Sequence, residues 1–305
     1  MPELPEVETV VNELRQAVRN KTIKNVQVKQ PKMIAIGPLT LPNIRKIDKR
    51  AVAKFQKILK NQKVKNISRR AKSIIIDFVG PYSLFVHLKM TGQLIYLSKK
   101  DLSKSLRLLN IENYPSVSLP AKWTHVIFEF TDGSKLFYND MRQFGYLKLV
   151  HDKEVRLVPE LAGYGPEPLE KKFNFAVFQN ITKQNPKAKL KSFLMDQTKI
   201  AGIGNIYSDE ICFFAKVKPD RMLKTLRENE QLEIFNGIKR ILQQAVKMSG
   251  SSVGDFVRPF GKWGSYGKVH KVYGRTGKKC LICASMIVSK KFNGRTGSFC
   301  PKCQK

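Results

Sequence analysis

Met1-Pro2-Glu3-Leu4-Pro5-Glu6-Val7-Glu8 opens the chain, and two readings of it lead to different proteins. If Met1 is removed, Pro2 becomes a terminal secondary amine beside a carboxylate. Such an amine can attack an electrophilic sugar carbon and form an iminium ion, which has no N–H left to lose and stays a strong electron sink. The second reading is local: proline near a helix start gives up only an orphan N–H, and acids suit the positive helix end. The octapeptide alone leaves both open. Next along the chain, Val7, Val10, Val11, Leu14 and Val18 recur at helical spacing up to Asn20, so the terminus stands at the start of an amphipathic helix whose apolar face is core.

The 305 residues suffice for two domains and a small appendage. Acids stand where a signal peptide has bases and no apolar run approaches a membrane span, so a cytoplasmic protein is expected. With 56 Lys+Arg against 24 Asp+Glu the formal charge is +32, which points to a polyanion, most simply nucleic acid. Ribosomal and membrane-surface proteins share that property, so the charge supports a class and not a function.

Strands dominate the first half. Thr22 to Lys29 reads as a strand, Pro31 to Pro42 as a turn-rich loop and Ala51 to Leu59 as a short basic helix. Further strands are expected over Val64 to Ser68, Ser73 to Val79, Ser83 to Leu88, Gln93 to Leu97, Thr124 to Phe130, Lys135 to Tyr138 and Tyr146 to Val150, with a hairpin turn at Asp132-Gly133. Residues 98–121 read as a surface insertion. Beyond Gly163 the pattern turns helical, over Phe173 to Thr182, Lys187 to Asp196, Asn205 to Phe214 and about Glu228 to Met248. Ala201-Gly202-Ile203-Gly204-Asn205 is a glycine-rich turn feeding a helix start, where backbone N–H groups can grip a phosphate, although a tight helical corner needs glycine anyway. Ser249 to Tyr266 reads as a mobile loop or linker.

The tail carries Cys280-x-x-Cys283 and, after sixteen residues, Cys300-x-x-Cys303. Zinc takes four thiolates at tetrahedral corners about 2.3 Å away, and each pair supplies two. A redox pair or an iron-sulfur cluster fits this spacing less well. Four filled ligand places leave none for water, so one structural zinc is expected. From Phe256 to Lys305 there is no acid, which makes the tail a cationic surface suited to DNA or RNA. Cys212 falls in an apolar helix as a packing residue.

Several stretches, in order, carry a resemblance: the opening octapeptide with Thr9, Arg69-Arg70-Ala71-Lys72, His87-Leu88-Lys89-Met90-Thr91-Gly92, Asp140-Met141-Arg142-Gln143-Phe144-Gly145, Gly165-Pro166-Glu167-Pro168-Leu169, Asp196-Gln197 with Gly202-Ile203-Gly204-Asn205-Ile206-Tyr207, and Val272-Tyr273-Gly274-Arg275 before the cysteines. Together they closely resemble the bacterial formamidopyrimidine-DNA glycosylases from end to end. The resemblance implies an α+β protein. An N-terminal catalytic β-sandwich with flanking helices would span 1–150, a helical helix-two-turns-helix DNA-binding domain with a mobile loop 151–270, and a zinc-finger hairpin 271–305, with DNA crossing the cleft between the domains.

It also implies a bifunctional base excision repair enzyme. The enzyme would remove oxidised purines such as 8-oxoguanine and formamidopyrimidines from damaged duplex DNA, then cut the abasic site by β,δ-elimination through a Pro2 Schiff base. The implied catalytic set is Pro2 as nucleophile, Glu3 as general acid, Lys72 and Arg295, with Glu6 in support. Met90, Arg142 and Phe144 would fill the void left by the flipped nucleotide. Asn205 would approach the phosphates, as would Lys191 within Lys187-Ala188-Lys189-Leu190-Lys191, a segment that offers three lysines and no clear choice, and Cys280, Cys283, Cys300 and Cys303 would hold zinc. A monomer associated with the nucleoid is expected.

Trp123 stands where relatives carry a DNA-contacting histidine, so that role is not transferred, and extra length falls near residues 30–50 and 98–121. Two rivals remain: a non-catalytic DNA-binding relative, opposed by the intact Pro2-Glu3 and Lys72, and an endonuclease VIII-like glycosylase of oxidised pyrimidines, opposed by Leu4-Pro5.

Overall fold

A computed structural model describes residues 1–40, 49–103 and 118–305. They form two compact units. The first holds Met1–Pro2, Glu6–Ala162 and Ser251–Gly264; the second holds Glu3–Pro5, Gly163–Gly250 and Ser265–Lys305. The division therefore passes through the start of the first helix, α1 (Leu4–Val18).

In the first unit α1 is followed by β1 (Ile23–Val28), β2 (Ile34–Ile36), α2 (Lys49–Leu59), β3 (Val64–Arg70), β4 (Ser73–Phe78), β5 (Tyr82–His87), β6 (Gly92–Leu97), α3 (Lys99–Ser103), β7 (Thr124–Phe130), β8 (Lys135–Asp140), β9 (Tyr146–His151) and α4 (Pro159–Ala162). The strands make a four-stranded sheet, β1-β7-β8-β6, and a five-stranded sheet, β2-β9-β5-β4-β3. Their inner faces share one core, in which Val26, Phe128, Leu136 and Leu94 of the first sheet join Val64, Ile74, Val86 and Leu149 of the second. The strands β5 to β9 are buried along nearly their whole length, and among the described strands of this unit only β1 and β3, at the sheet edges, show exposed positions, so the expected sandwich is present, with both faces of its inner strands covered. The valine and leucine stripe of α1 closes the core: Val7, Val10, Val11, Leu14 and Val18 are at most 1% exposed, each adding about 1.5–3 kcal/mol by leaving water.

Two segments differ from the sequence reading. The loop expected over residues 31–42 contains a 3-10 turn, Pro31–Met33, and then β2, which pairs in parallel with β9. Three residues between Pro31 and Gly37 are too few to show a period, and only pairing with β9 makes them a strand. The segment expected as a mobile loop or linker also makes packing contacts with the first unit. Phe256 enters the shared core, and Val257 packs on Ile95, Ile127 and Phe137 at the outer face of the four-stranded sheet. Pro259 O accepts the Tyr96 N–H, and the Arg258 guanidinium pairs with Glu13 on α1. Of the expected insertions, residues 41–48 and 104–117 lie outside the described residues.

The second unit contains α5 (Phe175–Lys183), α6 (Leu190–Met195), α7 (Asn205–Phe214), α8 (Glu228–Lys247) and a hairpin of β10 (Val288–Phe292) with β11 (Arg295–Phe299). Helix α7 is buried from Ile206 to Phe213. Gly237 of α8 lets it approach, because a Cβ there would stand 2.9 Å from the Phe214 ring. Leu4 belongs to this helical core.

Candidate active site and DNA interface

Glu3 is 2% exposed, and its carboxylate accepts the N–H groups of Gly204 at 2.7 Å, Ile206 at 2.8 Å and Tyr207 at 3.4 Å. The first residues of the chain thus occupy the positive end of α7, some two hundred residues away in sequence. Ordinary helix-start chemistry places an acid on its own helix, and Glu3 is not doing that. The glycines of the 201–205 turn make the approach possible. At Gly204 a Cβ would stand 2.4 Å from Glu3 Cδ, and at Gly202 (φ +87°) 2.7 Å from the Leu4 side chain. Leu4 N–H also donates to Gly202 O at 3.0 Å. The N–H groups that the sequence reading offered to a phosphate therefore bind Glu3 instead. Asn205 follows as the first residue of α7, half-buried. Its side chain hydrogen-bonds Tyr273, whose hydroxyl is pushed to a higher pKa by burial and then by the Glu3 charge.

Pro2 is buried in the first unit, and Met1 before it is 47% exposed. Glu6 is 1% exposed and accepts the Ser251 N–H at 2.7 Å, so it fixes the start of the 251–264 segment. Lys72 lies at the tight turn from β3 to β4, after Ala71 at φ 52°. Arg69 bonds Glu8 of α1 at 2.7 Å and Ala71 O at 2.9 Å, which ties this turn to the helix behind Pro2. Lys72 is only 6% exposed, unlike a solvated surface lysine. Burial, followed by the charges of Lys89 and Lys72, drives the pKa of His87 down to about 3. Neutral His87 Nδ1 accepts the Lys89 N–H at 3.0 Å.

Met90 is half-buried, whereas Arg142 is exposed and Phe144 is 48% exposed, so Phe144 is not a core residue. The three lie together: Arg142 Nη1 stands 3.1 Å from Met90 Sδ, and its guanidinium lies 4.8 Å from the Phe144 ring centre. Trp123 is half-buried with Lys122 over its ring, and its carbonyl accepts the Asp140 N–H.

Lys191 differs from expectation. Its side chain is fully buried, and its ammonium donates to Asp209 at 2.5 Å and Ser208 Oγ at 3.0 Å. Asp209 also accepts the Ser298 N–H of β11 at 2.8 Å. A desolvated ammonium needs such partners, and through Asp209 Lys191 braces α6, α7 and the hairpin. Lys187 and Lys189 are the exposed members of that run. Burial pushes the Asp209 carboxyl up, to about 6, against the pull of Lys191 and Ser298. Glu210, next on α7, accepts the N–H groups of Lys271, Val272 and Tyr273 at 2.9–3.0 Å. Neither acid was singled out from sequence, although adjacent acids in an otherwise apolar helix are a signal of buried structural work.

The Sγ atoms of Cys280, Cys283, Cys300 and Cys303 lie within 4.8 Å of one another, with Cys280 to Cys303 at 3.9 Å and Cys283 to Cys300 at 3.4 Å. A tetrahedron of thiolates around zinc has edges of about 3.8 Å, so the four fit that ion. The N–H groups of Ile282 and Cys303 point at the Cys280 and Cys300 sulfurs, as suits thiolates. Arg295 begins β11, exposed beside the Asn293-Gly294 turn at the tip of the hairpin. The cluster holds one structural zinc and leaves no position for catalysis.

The class defined by this sandwich, helical unit and thiolate hairpin is that of the base-excision DNA glycosylases. The family model described as the Formamidopyrimidine-DNA glycosylase N-terminal domain matches residues 1–147, that of the Formamidopyrimidine-DNA glycosylase H2TH domain residues 164–257, and that of the zinc finger found in FPG and IleRS residues 277–305. Formamidopyrimidine-DNA glycosylase of Pelotomaculum thermopropionicum is 35% identical over 305 residues, covering 100% of this chain and 99% of the relative. That of Listeria monocytogenes is 36% identical over 308 residues, covering all of both. The solved Lactococcus lactis Fpg in complex with DNA containing an abasic site superposes with a TM-score of 0.81 at 30% identity, over 99% of each chain. The same protein with Fapy-dG DNA also gives 0.81 at 30%, over 99% of this chain and 100% of that one. The chain belongs to the formamidopyrimidine-DNA glycosylase family. Among the described residues no helix is long and apolar enough to cross a membrane.

Proposed function

We propose that this chain excises oxidised purines, 8-oxoguanine and formamidopyrimidines, from duplex DNA and cleaves the resulting abasic site by β,δ-elimination. The observation that carries the proposal is the Pro2-Glu3 end of the chain. Termini ordinarily fray, but behind the exposed Met1 this one has a buried Pro2, followed by a Glu3 whose carboxylate accepts three backbone N–H groups at a helix start. A buried, fixed terminus suits a nucleophile. With Met1 removed, the Pro2 nitrogen forms a bond to C1′ as the bond from C1′ to the base breaks, and the base leaves with that electron pair and takes up a proton. The nitrogen then sheds its proton, and its lone pair opens the sugar ring as the C1′–O4′ bond breaks and O4′ takes up a proton; the iminium so formed acidifies C2′–H, so that first the 3′ and then the 5′ phosphate is expelled. Glu3 serves as proton donor to the opening sugar, and Lys72 moves protons and meets phosphate during elimination.

Arg295, presented by the zinc hairpin, clasps the phosphates around the flipped nucleotide, because a guanidinium bridges two oxygens in a plane. Asn205 holds phosphate at the start of α7, while Met90, Arg142 and Phe144 fill the void and bond the estranged base. Residues 1–150 carry the chemistry, and residues 151–270 and the hairpin of 271–305 carry most of the grip on DNA. The protein works as a monomer on nucleoid DNA, a partner to which its charge of +32 is suited.

The test is product analysis on end-labelled duplexes. An 8-oxoguanine·cytosine duplex should yield a one-nucleotide gap with phosphate at both ends. Binding without incision would favour a non-catalytic relative, and preference for oxidised pyrimidines an endonuclease VIII-like one; either would overturn the proposal.

A further inference from the structure

Met90 comes from one turn, Arg142 and Phe144 from another, and a single buried carboxylate is shared between the two. Asp140, the last residue of β8, is the register partner of Gly92, the first of β6, so it sits where both turns leave the sheet. Its Oδ1 accepts the hydroxyl of Thr91, beside Met90, and its Oδ2 accepts the N–H of Gly145, beside Phe144, at 2.7 Å. The Thr91 hydroxyl oxygen in turn accepts the Arg142 N–H at 3.0 Å. Asp140 is fully buried and Thr91 is 4% exposed, so water does not compete for these bonds.

Both turns also take backbone conformations that need outside support, with Lys89 at φ 50° and Gln143 at φ 55°. Gly145 has no room for a side chain: a Cβ there would stand 2.2 Å from Tyr138 Oη and 2.7 Å from His87 O.

We infer that Asp140 and Thr91 are positioning residues that lock the two turns to each other, so that Met90, Arg142 and Phe144 enter the duplex as one preformed wedge. The inference rests on the void-filling reading of those three side chains. A wedge assembled before binding loses little freedom when it enters the stack, which speeds insertion. If Asp140 and Thr91 served only to staple the sheet, their loss would instead weaken every activity alike.

The experiment is stopped-flow fluorescence of 2-aminopurine placed opposite a tetrahydrofuran abasic analogue, which reports side chains entering the void. Borohydride trapping on a single-stranded abasic oligonucleotide, which has no estranged base, runs beside it. Thr91→Val is expected to slow the fluorescence change about tenfold with trapping within about twofold of the parent, and Thr91→Ser, which keeps the hydroxyl, to restore the rate. Parental insertion in Thr91→Val, while Met90→Ala and Arg142→Ala lose it, overturns the coupling and leaves the void-filling reading standing. Parental insertion in Met90→Ala and Arg142→Ala overturns that reading and the coupling with it. Loss of trapping together with insertion in Thr91→Val assigns the pair to folding alone and overturns the inference too.

Discussion

At residue scale the informative side chains are polar groups placed where solvent cannot reach them. His87 is held neutral by burial beside two lysines, with a pKa near 3 when folded against about 6.5 when unfolded. The unfolded chain therefore binds a proton below pH 6.5 that the folded chain refuses. Stability from this residue is complete above about pH 6.5 and is lost as pH falls from there toward 3, at up to about 1.4 kcal/mol per pH unit. Burial also lowers the pKa of His125 and His270, which adds to the same trend. Urea midpoints measured between pH 7.5 and 4.5 should fall with pH, and His87→Gln should flatten the slope; an unchanged slope would place the acid sensitivity elsewhere. The sequence displayed most of these residues without their surroundings. Glu3 could be singled out, but its contact with the start of α7 could not, because local spacing carries no information about a partner two hundred residues away. Lys191 shows the same limit: three lysines in one short run look alike until the fold buries one against Asp209.

At the scale of elements, periodicity was enough for α1 and α8, which bury a regular face, while α7 and the long strands were legible as apolar runs bounded by turn residues. It missed β2, which is three residues long and owes its existence to β9. It also missed the packing of residues 251–264, where glycine and serine suggest a loop while Phe256 and Val257 enter apolar clusters. The zinc hairpin was legible because four thiolate ligands need a particular spacing. Its bearing on function is indirect: the thiolates, Phe213, Val272 and Ile287 form a small core of their own, from which β11 presents Arg295. Cys300→Ser, or removal of zinc by a chelator, should cost the hairpin its order and lower affinity for abasic duplex at least about tenfold, with a shallower dependence on salt as phosphate contacts are lost. Fluorescence anisotropy across a salt series, with zinc content measured on the same samples, checks this. Parental affinity in zinc-free protein would remove the hairpin from the interface.

Across the whole molecule, the two units divide the groups that the proposed reaction needs. Pro2, Glu6, Lys72 and the void-filling turns belong to the first; Glu3, Asn205 and Arg295 belong to the second. The peptide bond between Pro2 and Glu3 is one of the points where the chain passes from one unit to the other. The opening octapeptide is a helix start, with α1 beginning at Leu4, and the proposal makes it a reactive terminus as well. The central claim is that the Pro2 nitrogen becomes the covalent partner of the sugar. Borohydride trapping on a duplex with one 8-oxoguanine opposite cytosine tests it most directly. Protein freed of Met1 should give a stable cross-link to the lesion strand, and Pro2→Gly should lose most of that cross-link together with strand cleavage. No adduct from the Met1-free protein, or lesion-strand cleavage by Pro2→Gly at the parental rate, would contradict it.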